Sequence, residues 1–150
     1  VRREDTLWVV VIVIALHVLE EYVLDFRGWI EVALGLRISW ELFFLVNAAF
    51  LVFAIAGAML GWRLPEVSLM MPALIGLNGL IFHVGLTLVQ RRFSPGTITS
   101  ALLFIPVAVW TYHSAYRDGA LTRRALIVSL LGGTMAMFYP LILLLIRGLN

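Results

Sequence analysis

The chain of 150 residues has no cysteine and no lysine, and only 13% of its residues are charged. Without cysteine there are no disulfides, no thiolate metal ligands and no cysteine nucleophile, and the redox compartment is left open. Every basic residue is an arginine, scattered singly or in pairs, so the formal net charge of +2 comes with no basic face to track a phosphate backbone. Nucleic acid is therefore not an expected partner. Soluble domains carry about 25% charged residues, whereas this chain is 62% hydrophobic with a mean hydropathy of +1.00. Linkers, repeats and low-complexity tracts are missing too. Together these absences predict a single all-α integral membrane bundle over residues 1–150.

A membrane-spanning helix takes about 20 mostly apolar residues. Five segments meet that need, at 7–25, 40–62, 67–89, 97–116 and 124–146. Tryptophans lie near most of their ends, where interfacial rings belong. Short connections predict that consecutive spans are antiparallel neighbours. The exception is 26–39, whose Arg27, Trp29, Ile30, Glu31, Leu34 and Arg37 predict an amphipathic segment at the membrane surface, able to roof what lies beneath. The first apolar run follows Arg2 and Arg3 as a signal peptide would. It ends in Glu20, Glu21 and Tyr22 instead of a small-residue cleavage site, so it is expected to persist as a mature helix. Six arginines on one side against five on the other leave the orientation open. The expected location is a bacterial or archaeal plasma membrane, with lipids as immediate partners.

The most unusual stretch is His17-Val18-Leu19-Glu20-Glu21, three ionisable groups within a segment that otherwise reads as membrane-spanning. A charge at the centre of such a helix costs roughly 2.5–3.5 kcal/mol even on the lenient insertion scale, and is usually kept for function. Two adjacent carboxylates in low dielectric repel unless a cation or shared proton relieves them. With a rise of about 1.5 Å per residue, His17, Asn47, His83 and Tyr139 fall at roughly the same depth below the 26–39 face, with Glu20 and Glu21 slightly shallower. Asn78 falls about 19 Å down on the same scale, and His113 deeper still.

His17 and Glu21 stand one helical turn apart with Glu20 beside them. The spacing resembles the inverted zincin pattern, in which the outer pair binds zinc and the inner glutamate is the general base. On that reading His17, Glu21 and His83 are metal ligands and Glu20 is the catalytic base. Asn47, Asn78 and Tyr139 are candidates for the surrounding polar shell. The plainer reading is that these groups only hold helices together, as interhelical hydrogen bonds do at about 0.6 kcal/mol each. His113, with Tyr112 and Tyr116, reads as an interfacial aromatic cluster. Gly57-Ala58 with Gly61, and Gly132-Gly133 with Ala136, read as close-packing faces.

The run from His17 to Glu21 resembles the motif that defines the HXXEE-motif family of small multi-pass membrane proteins. Asn78, His83 and the turn Ser94-Pro95-Gly96-Thr97 add to the resemblance, which spans roughly residues 10 to 115. It implies a multi-pass membrane fold with a polar site and supplies no reaction. The chain also bears an analogy to intramembrane CAAX-type proteases, but has Asp25 where their pattern requires arginine.

The leading expectation is thus a metal-dependent membrane hydrolase, with zinc favoured over iron, acting on a lipid-soluble or membrane-embedded small molecule. Its rivals are a non-haem iron oxidase, a proton or cation relay through the glutamates, and a non-catalytic subunit of a larger membrane complex that ligates haem or a chlorophyll-type pigment or merely packs.

Overall fold

The computed structural model describes residues 2–148, apart from the side chains of 141 and 143–148. Among the described residues there is no strand. Six helices follow one another: α1 Thr6–Val23, α2 Phe26–Leu34, α3 Trp40–Leu60, α4 Pro65–Gln90, α5 Thr97–Arg117 and α6 Arg123–Gly148. Four of the segments, Arg3–Val23, Trp40–Arg63, Pro65–Gln90 and Thr97–Arg117, are long and apolar enough to cross a membrane. The predicted boundaries hold to within about two residues, the usual uncertainty of helix ends. The 26–39 segment does contain a short helix, α2, with Trp29 and Ile30 turned inward and Val32 outward.

Local chemistry explains the breaks. Asp25 takes a left-handed conformation after α1, and its carboxylate accepts from the Gly28 amide at 3.2 Å, which starts α2. Gly35, with φ of 69°, ends α2 in the left-handed region where glycine carries no Cβ penalty. The Ser39 hydroxyl then caps α3 by accepting from the Leu42 amide.

Two stretches depart from α-helical winding. Asn78–Gly85 in α4 and Ser100–Phe104 in α5 are π-helical, and they pack against each other. The spacing of apolar residues gives no sign of this, because a π turn changes the hydrogen-bond register without changing composition. Gly79 lets the two approach: a Cβ there would lie 3.3 Å from the Cβ atoms of both Ser100 and Phe104.

The core of the bundle is apolar, built from Val10, Val13 and Ile14 of α1, Ala54 of α3, Met71, Leu74 and Ile75 of α4, Phe104, Val107 and Ala108 of α5, and Met137 of α6. The outer surface is apolar too, with Ile12, Leu19, Val52, Leu102 and Met135 exposed. At the end holding the N-terminus, Arg3 pairs with Asp118, whose other oxygen accepts from the Trp62 indole at 3.1 Å. Glu4 accepts from the Trp62 amide. One polar clamp thus joins the N-terminal segment to two connections on the same face, as antiparallel neighbours require. Arg3 holds the Asp118 carboxyl below the usual carboxylate range.

The expected close-packing faces are used. Gly57 lies against the backbone of Ser68. Gly133 is buried against α4, where a Cβ would come 2.7 Å from the Met70 carbonyl oxygen and 2.9 Å from the Leu74 amide nitrogen. At Gly132 a Cβ meets only the flexible Met70 side chain. Gly133→Ala should therefore lower stability by about 1–3 kcal/mol, the usual range for overpacking, while Gly132→Ala should cost much less because Met70 can turn aside. Thermal unfolding in detergent, followed by far-UV circular dichroism, measures the contrast.

Candidate metal centre

The three expected ligands meet. His17 and Glu21, from the last two turns of α1, and His83, from the π stretch of α4, are all buried. One donor atom from each lies within 4.8 Å of the others. Glu21 Oε1 stands 3.6 Å from His17 Nε2 and 3.5 Å from His83 Nε2. These separations exceed the 2.7–2.9 Å of a charged N–H to carboxylate hydrogen bond. They come close to the ~3.3 Å between neighbouring ligands of a tetrahedral ion with bonds of about 2.0–2.1 Å.

The far side of each imidazole is held by a hydroxyl. His17 Nδ1 lies 2.8 Å from Thr99 Oγ1, and His83 Nδ1 lies 3.3 Å from Ser94 Oγ. Each hydroxyl donates its own proton to a carbonyl, Thr99 to Gly96 and Ser94 to Pro95. Both hydroxyls are then acceptors toward the rings. With a ring proton on each Nδ1, donated to these hydroxyls, the Nε2 lone pairs face Glu21. His17 Nε2 is buried with no hydrogen-bond partner among the described residues. With the ring protons so placed, two lone pairs and a carboxylate oxygen converge, a donor set that could hold a metal ion.

Aromatic rings fix the histidines from other sides. Phe104 stacks on His17 at 4.1 Å between centroids, and the two imidazoles meet edge to face at 4.7 Å.

Glu20 has a different task from the one its spacing predicts. Its Oε1 accepts from the amides of Gly96 and Ile98, each at 3.1 Å, and its Oε2 accepts from the Thr99 amide at 2.7 Å. It caps α5 from a neighbouring helix, where both the free amides and the positive end of the helix dipole favour a carboxylate. Both oxygens thus accept backbone hydrogen bonds, an engagement that the spacing along α1 does not predict. Adjacent positions on an α-helix diverge by about 100°, which is why Glu20 and Glu21 serve separate partners.

The 91–96 connection and the first turn of α5 form a roof over the rings. Gly96 has φ of 93°, and a Cβ there would lie 2.7 Å from the Cε1 atoms of both His17 and His83. Thr87 secures the roof from α4, its hydroxyl accepting from the Ser94 amide at 3.0 Å and meeting Thr97 Oγ1 at 2.9 Å. The hydroxyl anchors Ser94 and Thr99 escaped the sequence reading. The signal for them in the sequence is the run of hydroxyl residues around Pro95 and Gly96.

Asn47 and Asn78 both line cavities that Glu21 also borders. Asn78 comes nearer the site than its depth implied. Five residues apart on an α-helix lie about 140° apart in rotation, but the π stretch puts Asn78 and His83 one hydrogen-bonded turn from each other. Asn47 also donates to the Phe43 carbonyl at 3.0 Å. Tyr139 lines the larger cavity from a largely exposed position. His113 is exposed on α5, outside the site. Tyr112 joins Ser129 at 2.7 Å and donates to the Leu69 carbonyl, pinning helices together.

Gly96→Ala brings a Cβ against both rings and forces a left-handed backbone on a residue that resists it. It should cost at least about 1–2 kcal/mol of stability and displace the imidazoles. Thermal unfolding with histidine NMR chemical shifts would register both effects.

No curated protein and no solved structure matches the chain. A family model described as proteins of unknown function with an HXXEE motif matches residues 8–111, a stretch that takes in all three converging side chains and the roof above them. The chain belongs to that HXXEE-motif family.

Proposed function

We propose that His17, Glu21 and His83 bind a divalent cation, zinc by the character of the donors, and that the protein is a membrane hydrolase acting on a lipid-soluble substrate. The observation that supports this reading is the convergence of two imidazole nitrogens and a carboxylate oxygen, with both imidazoles oriented from behind. Two nitrogens and one carboxylate oxygen form the three-ligand set of hydrolytic zinc sites, in which a fourth position stays open. A bound ion would supply Lewis acidity and a water of pKa near about 7. This chain's residues would hold the ion, orient the rings and exclude bulk water.

Two cavities meet at Glu21. The smaller, about 70 Å³, is bordered by His17 and has room for water. The larger, about 410 Å³, is bordered by His83 and lined mainly by apolar and aromatic side chains. Water on one side and an apolar substrate on the other suit hydrolysis at the ion between them. With Glu20 engaged by backbone amides, activation of water is the chemistry that a bound ion would supply. A two-iron oxidase usually gathers about four carboxylates, against one carboxylate in this cluster among the described residues. A haem or chlorophyll ligand would present its Nε2 to an open face, whereas both Nε2 atoms here face a carboxylate.

Metal analysis of protein purified in detergent without chelator tests the assignment. Wild type should carry about one zinc per chain, while Glu21→Gln and His83→Ala should lose most of it, because an amide or a methyl group cannot replace a charged or lone-pair ligand. Glu20→Gln should keep the metal and lose about 0.5–2 kcal/mol of stability, as a weakened helix cap does. Zinc-free wild type would end the metalloenzyme reading.

The hydroxyl behind His17 gives a finer test. Thr99→Val keeps the shape and removes the acceptor for Nδ1–H, so zinc affinity should fall by about 10–100-fold, as it does when such outer partners are lost. Competition with a chromophoric chelator measures it, and an affinity equal to wild type would detach Thr99 from the site.

A further inference from the structure

The larger cavity carries more than space. Its roof is α2, whose Trp29 is 8% exposed, and its indole Nε1 is buried with no hydrogen-bond partner among the described residues. A buried N–H with no acceptor costs stability unless a ligand supplies one. Indole nitrogen only donates, so the missing partner is an acceptor. Ile30 of the same helix, with Phe43, Phe50 and Phe82, gives the cavity an apolar lining that also includes Glu21 and His83. Leu45 and Tyr139, both largely exposed on the outer surface, also border the cavity, so its mouth opens among lipid-facing side chains.

From this we infer that the cavity holds the single hydrocarbon chain of an acyl ester or amide, entering from the bilayer with its carbonyl oxygen accepting from Trp29. The inference rests on the hydrolase reading and names its substrate class. A volume of about 410 Å³ lies in the lower part of the ~300–1,000 Å³ range of small-molecule pockets, which suits one chain better than a whole two-chain lipid. Glu21, Asn47, Asn78 and His83 give an otherwise mostly apolar lining its few polar groups. That polarity fits an amphiphile whose reactive carbonyl leads. In the reaction, water adds its oxygen to the acyl carbon, the bond from that carbon to the alcohol or amine breaks, and the proton released from water leaves on the alcohol or amine. No oxidant or further reactant is needed.

Heptadecyl methyl ketone provides a carbonyl on a single chain that cannot be hydrolysed, and nonadecane provides the chain without the carbonyl. Native mass spectrometry of the detergent-solubilised full chain would count one-to-one complexes with each, and zinc would be assayed in the same samples. Wild type should bind the ketone about tenfold more tightly than the alkane, the equivalent of one hydrogen bond. Trp29→Phe should lose that preference while still binding both, and Val46→Trp, which fills the cavity wall, should bind neither with zinc content unchanged. Equal binding of ketone and alkane to wild type would overturn the carbonyl assignment. Zinc-loaded wild type that binds neither would overturn the acyl-chain proposal and leave the metal site standing. Zinc-free wild type with the ketone preference intact would do the reverse.

Discussion

A carboxylate buried in an apolar bundle is the constraint on which the rest of this structure depends. Glu21 is 6% exposed, and an ionised carboxylate out of water costs several kcal/mol unless paired or coordinated. Its neighbours are two imidazole nitrogens whose protons lie on the opposite ring atoms. The lone pairs then face the carboxylate, and the proposed cation between them would make the three compatible. Nearly every unusual local feature serves that point. The turn at 94–96 supplies the hydroxyl and carbonyl that fix one ring, and the first turn of α5 supplies the hydroxyl that fixes the other. Glu20 holds that helix start in place by taking three of its backbone amides. The two glutamates of the motif thus divide the work: one is the charge to be neutralised, and its neighbour anchors the lid over it.

The π-helical stretches belong to the same logic. Rewinding a helix from i→i+4 to i→i+5 bonds gives up some packing and hydrogen-bond quality, so such stretches persist mainly where a site needs them. Here two face each other at the depth of the histidines. One brings Asn78 and His83 to a common face, and the other brings Phe104 beneath the His17 ring. Gly79 between them permits a close approach, since even a methyl group there would press against Ser100 and Phe104 at 3.3 Å.

How far these features were legible depends on whether they are local. Apolar length located the helices, because a membrane-spanning segment must satisfy its own backbone and cover itself with apolar side chains. The four-residue spacing aligned His17 with Glu21, and a constant rise per residue brought His83 to their level. The same arithmetic failed for Asn78, because it assumes α winding throughout. It failed for Glu20 for another reason: position on α1 says nothing of the amides at 96–99, which arrive from more than seventy residues away in sequence. Trp29 was read as one of several interfacial rings, and only the packing of α2 onto the bundle buries its nitrogen.

Adjacent acids in a membrane helix invite the idea that they act as a pair, and the geometry argues against it. Pairing requires both to face one space, yet neighbouring side chains diverge by about 100°. In water each would be solvated separately. In a bundle each must find its own counterpart, and the counterparts here differ in kind. Glu20 meets the exposed amides of a helix start, which bind a carboxylate without any cation. Glu21 meets two lone pairs, which do not. The second carboxylate is therefore the one that the proposed cation would neutralise, and the first holds the start of α5 over the histidine rings.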